Sequence, residues 1–105
     1  MTLETIYTKL SAVNVPVYYD HTDNEAAELP YICYKEISAR AIASDDAVTV
    51  TVPTVQVELY TNKRDRELEA LVEAALNGCI WSRRLEFGDA EDYYEVIYTF
   101  EYIGG

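Results

Sequence analysis

The side chains best able to do chemistry are few and poorly grouped. His21 is the only histidine in 105 residues and stands within Asp20-His21-Thr22-Asp23-Asn24-Glu25. Clustered carboxylates beside an imidazole could hold a divalent cation, because hard cations take oxygen ligands. The spacing is not that of a calcium loop: no glycine stands at the sharp turn and no glutamate closes it. The run reads as a solvated acidic loop, and no metal is expected. Cys33 and Cys79 lie 46 residues apart without CxxC spacing. They read as two buried thiols of a reducing compartment, with a single disulfide left open. Glu36, Glu58, Glu86, Glu95 and Glu101 fall on expected strands and could supply paired carboxylates for acid–base work. Each alternates with apolar residues, which is the pattern of a solvated sheet face. No serine sits in a nucleophile elbow, and the four glycines form no phosphate-cradling loop. The chain is therefore read as a non-enzyme, with no catalytic residue and no cofactor.

Charge narrows the partners. Nineteen acidic residues against eight basic ones give a formal net charge of -11. That opposes a nucleic-acid backbone or an anionic membrane surface as partner, since both attract basic patches. The basic clusters are Lys63-Arg64-Asp65-Arg66 and Arg83-Arg84. The first opens a helix, where acids are favoured, so its cations are expected to face solvent or pair with Glu67 and Glu69. Ten tyrosines are more than one small core can bury with every hydroxyl satisfied, so some are expected at a rim or on a partner surface. The N-terminal run MTLETIYTKL lacks the basic and apolar regions of a signal peptide, and no run approaches the roughly 18 apolar residues of a membrane helix.

The elements that must position these residues follow from periodicity. Leu3, Ile6, Tyr7, Leu10 and Val13 predict a helix over 2–13, capped by Thr2 and stopped by Asn14 and Pro16. A short strand over 17–19 precedes an acidic loop, Asp20 to Pro30. Residues 31–37 form a strand with apolar groups on both faces, hence a central one, followed by the small and polar segment Ser38 to Ala47 with its turn at Asp45-Asp46. In residues 48–60, Val48, Val50 and Val52 are out of phase with Val55, Val57 and Leu59. A period of two cannot absorb an odd step, so a bulge or bend is expected at Pro53. Residues 31–52 thus form a long hairpin arm leading into a core strand over 54–60. Leu68, Leu71, Val72, Ala75 and Leu76 predict a second helix over 63–77, capped by Thr61 or Asn62 and ended by Gly78. Strands over 79–87 and 93–103 finish the chain, and Trp81 with the tyrosines of the last strand is assigned to the core. The expected fold is α+β in one domain, 1–105: a mostly antiparallel sheet of four or five strands, two helices on one face, order α-β-β-β-α-β-β.

This layout resembles the tail-completion and tail-terminator (head–tail joining) proteins of long-tailed bacteriophages and prophages. The residues that carry the resemblance are Leu29-Pro30-Tyr31-Ile32-Cys33-Tyr34, Val55-Gln56-Val57-Glu58-Leu59-Tyr60-Thr61, and the helix with Glu67-Leu68-Glu69-Ala70-Leu71-Val72. The resemblance covers nearly the whole chain. It implies structural work in the virion, at the head-proximal end of the tail, after assembly in the bacterial host cytoplasm. The implied partners are further copies of the chain in a ring, typically of six and monomeric before assembly, the tail tube protein and head connector proteins. A ring needs a head-to-tail interface that closes. The candidate interface residues are Arg40, Ile42, Asp45, Asp46 and Val48 on the arm and Lys63, Arg64 and Arg66 on the neighbouring copy's helix. The competing readings are an acidic DNA mimic or other inhibitor, a different head–tail connector component, and a small enzyme using Glu58, Glu95 or Cys33.

Overall fold

A computed structural model describes residues 2–20, 28–44, 48–88 and 93–102. The order is α1 (Leu3–Ser11), β1 (Val17–Tyr19), β2 (Tyr31–Ser44), β3 (Val48–Thr61), α2 (Arg66–Ala75), β4 (Ser82–Gly88) and β5 (Tyr93–Glu101). The fold is α+β with the expected element order. Its five strands lie in the order β1-β2-β3-β5-β4. β1 runs parallel to β2, and every other pairing is antiparallel.

Both helices cover the same face of the sheet. Ile6, Leu10, Leu68, Val72 and Leu76 join Ile32, Val55, Val57, Leu59, Val96, Tyr98 and Phe100 in one hydrophobic cluster. Burying each such side chain fully is worth about 1.5–3 kcal/mol, so this layer carries most of the stability. The Thr2 hydroxyl accepts from the Thr5 amide to start α1. Asn14 takes a positive φ of 67° past its end, a conformation asparagine tolerates better than most residues.

α2 is shorter than its apolar stripe predicts. Its cap is Asp65, whose Oδ1 accepts from the Leu68 amide at 3.0 Å, not Thr61 or Asn62. The Thr61 hydroxyl instead donates to the Lys63 carbonyl oxygen, holding the chain in a turn before the helix. Gly78 adopts φ 92° beyond the helix, with open space around a would-be side chain, so backbone conformation alone calls for glycine there.

The larger correction concerns β2. The segment from Ser38 to Ser44 is strand, paired residue by residue with Val48–Thr54. The expected irregularity exists but sits on the other strand: the register shifts between Glu36 and Ser38, leaving Ile37 as the extra residue of a bulge, while β3 runs through Pro53 unbroken. The valines of β3 change faces because their surroundings change. Val55, Val57 and Leu59 turn to the helices, whereas Val52 stays buried at the ribbon's base and Val50, further out, is exposed. The ribbon stretches the molecule to 51 × 25 × 23 Å, with a radius of gyration of 15.1 Å against about 13 Å for a compact chain of this length.

Candidate functional site

Three places gather polar or exposed side chains. The first joins α2 to the sheet. Glu69 is almost fully buried, yet Arg64 reaches it at 2.9 Å and Arg83 at 3.6 Å. Arg83 also binds Glu73 at 2.8 Å, and the Tyr98 hydroxyl donates to the same carboxylate at 2.8 Å. Burial and the Glu73 carboxylate push the Tyr98 hydroxyl above its ordinary pKa. This is a satisfied polar cluster that ties helix to strand, and it holds Arg64, one of the expected interface residues, against Glu69. Lys63 and Arg66 are exposed, as is Arg40, which pairs with Glu101 at 2.7 Å.

The second place is the helix-free face. Tyr18, Tyr31, Tyr60 and Tyr93 form a ladder across four strands, with ring centroids 5.9, 4.9 and 5.8 Å apart in succession. In the row beside it, Glu58 is buried, accepting from the Tyr60 hydroxyl and the Gln56 amide and pairing with Lys35 at 3.6 Å. Glu95 is half-buried beside this group, and burial followed by the charge of Glu58 raises its pKa, against the lowering effect of the Tyr60 hydrogen bond. Alternation therefore misleads for Glu58 and Glu95, which the sequence places on a solvated face. The Tyr60 hydroxyl meets Glu58 from two residues along the same strand and Glu95 from across the ladder, the second a cross-strand effect that linear spacing does not carry. Cys33 is buried on this same face and Cys79 is half-buried near the core, and neither is in a disulfide. Burial raises the Cys79 pKa. Among the described residues no group of three metal-ligating side chains occurs; His21 lies outside them. The described helices include none long and apolar enough to cross a membrane.

The third place is the ribbon and its base. Ile37, Ile42 and Val50 are exposed, and Ile42 faces Val50 directly across the strands. Val48 pairs with Ser44 in the ladder, while Asp45 and Asp46 lie outside the described residues. At the base, where β5 ends and β4 begins, an open groove of about 850 Å³ is lined by Val52, Cys79, Ile80, Trp81 and Phe100, with Arg40 and Glu101 at its rim. Trp81 meets Tyr98 edge-on at 5.3 Å and packs against the core, as its assignment anticipates. Only Tyr34 and Tyr98 of the ten tyrosines are buried, so the excess does lie at rims and surfaces.

The described architecture is that of a small α+β unit with an extended two-stranded arm. Among solved structures the chain is similar to a protein in the virion of a native gene transfer agent (GTA) particle, with a TM-score of 0.63 over 91% of this chain and 88% of that chain. Sequence identity is 15%, so the likeness is one of fold. No protein-family model matches the chain, and no curated protein matches it in sequence.

Proposed function

We propose that this chain is a structural component of a phage or phage-like virion, of the tail-completion or tail-terminator kind. It would cap the tail tube and join it to the head connector by assembling into a ring. The observation that carries this reading is the fold it shares, nearly end to end, with a chain of the gene transfer agent virion. The arm supports it: Ile42 and Val50 are exposed on a ribbon that adds little to the core, an arrangement suited to contact between copies. Arg40, Ile42 and Val48, with Asp45 and Asp46 between the strands, form the reaching side of that contact. The other partners are the tail tube protein and the head connector, and the place of work is the head-proximal end of the tail. The test is deletion of the gene in the source phage or prophage, with electron microscopy of the induced lysate. Tails of abnormal length, or full heads beside unjoined tails, are the expected result. Normal infectious particles would overturn the reading.

A further inference from the structure

β4 closes one side of the sheet, and among the described residues it pairs only with β5. Its outer edge therefore presents backbone amides and carbonyls to any further strand. Native sheets usually blunt such an edge with shortness, proline, a bulge or charge. This edge is seven residues long, without proline and in unbroken register with β5. Its charges are of both signs, in the order Ser82-Arg83-Arg84-Leu85-Glu86-Phe87-Gly88. Arg83 and Leu85 stand opposite Tyr98 and Val96, so with Phe87 they share the helix-covered face. Leu85 and Phe87 remain 42% and 48% exposed there. Arg84 and Glu86 share the helix-free face, and both are exposed.

We propose that β4 pairs antiparallel with β4 of a second copy, with Leu85 opposite Leu85, so that two sheets join into one across a two-fold axis. The charge order carries this. In that register Arg84 of each copy faces Glu86 of the other. Within one copy these two side chains already lie 3.5 Å apart along the strand, an exposed pair of little strength by itself. The second copy adds the same pair in reverse, so opposite charges neighbour each other both along and across the strands. On its inner side Glu86 stands opposite Glu95, a like charge, and the second copy's Arg84 supplies a cation on the outer side. On the other face Leu85 meets its own counterpart. Phe87 there meets the methylene stem of Arg83, whose guanidinium stays on Glu73 at 2.8 Å. Charge also rejects the neighbouring registers. A slip of two residues sets Arg84 against Arg84 or Glu86 against Glu86, and a slip of one turns the apolar set onto the polar face. The contact uses the same patch twice, so it stops at two copies. It involves neither the arm nor the start of α2, and it goes beyond the ring reading without depending on it. The chain before assembly is then a dimer, where the family resemblance implies a monomer.

The test is the mass of the full chain in low salt by sedimentation equilibrium, with charge reversals at the two exposed positions. The unaltered chain is expected at twice its chain mass. Arg84→Glu alone, or Glu86→Arg alone, sets like charges opposite each other on both sides of the axis and should weaken the dimer at least about tenfold. Arg84→Glu combined with Glu86→Arg exchanges the signs and should restore it. Mixing the two single variants should also restore it, because each then meets its complement. Thermal melts followed by circular dichroism check that every variant keeps its fold. An unaltered chain that stays monomeric up to about 1 mM overturns the proposal. So does a dimer or larger particle that both single reversals leave intact, or a double variant that fails to pair. Normal particles after gene deletion would refute the tail reading and leave this contact standing.

Discussion

The two halves of the β2–β3 ribbon obey the same hydrogen-bonding pattern and serve opposite ends. In the base, Ile32, Tyr34, Val55, Val57 and Leu59 are buried under both helices. Beyond the bulge at Ile37 the ladder continues through Ser44 and Val48, yet Ile42 and Val50 stay exposed. Strand pairing alone contributes little net stability, because backbone groups exchange water for each other. Apolar burial makes the difference. The base therefore sets whether the chain folds, and the outer half is available for contact with another molecule.

Substitutions can break or sharpen this contrast. The largest expected effect is in the base: Leu59→Ala removes a fully buried side chain and should cost about 2–5 kcal/mol in urea denaturation. Next comes the clamp between α2 and β4. Arg83→Met leaves the Tyr98–Glu73 bond but strips Glu73 and buried Glu69 of a cation, and should cost about 1.5–3 kcal/mol by the same assay. Gly78→Ala forces an alanine into φ 92° and should cost about 1–2 kcal/mol. Ile42→Ser on the ribbon should shift stability by less than about 0.5 kcal/mol, as for other exposed sites. A loss at Ile42 comparable to that at Leu59 would end the contrast.

The smallest effect is a pH dependence on the helix-free face. Glu95 has a raised pKa in the fold, so the native state binds its proton more tightly than the unfolded chain does. Between the unfolded and folded pKa values, stability falls as pH rises. Glu95→Gln should raise the melting temperature at neutral pH, and the gain should shrink as pH falls through that window. A gain independent of pH would point to repacking instead of charge.

Much of the fold is legible in the residues, because helix stripes and strand alternation report burial directly. Leu68, Val72 and Leu76 mark α2, and Val55, Val57 and Leu59 mark the core half of β3. Three features are not legible. The strand character of 38–44 is hidden by small and polar residues, which pair as a ribbon because Val48 to Val52 lie opposite them. The helix cap at Asp65 depends on the turn that Thr61 holds, a choice among several competent cap residues. Buried Glu58 is satisfied by Tyr60 and Gln56 beside it on β3 and by Lys35 from β2, a partner far away in sequence. At the candidate site, Ile42 and Arg40 are readable as arm residues. The groove is not, since it gathers β2, β3, the segment before β4, and β5 at one corner.

The most direct test of the central claim separates folding from assembly in one variant. Ile42→Glu with Val50→Glu is purified and melted, and is also supplied to the gene-deleted phage or prophage for particle counts. The expected result is a melting temperature within a few degrees of the unaltered chain together with unjoined heads and tails. Normal yields of infectious particles from this variant would contradict the account.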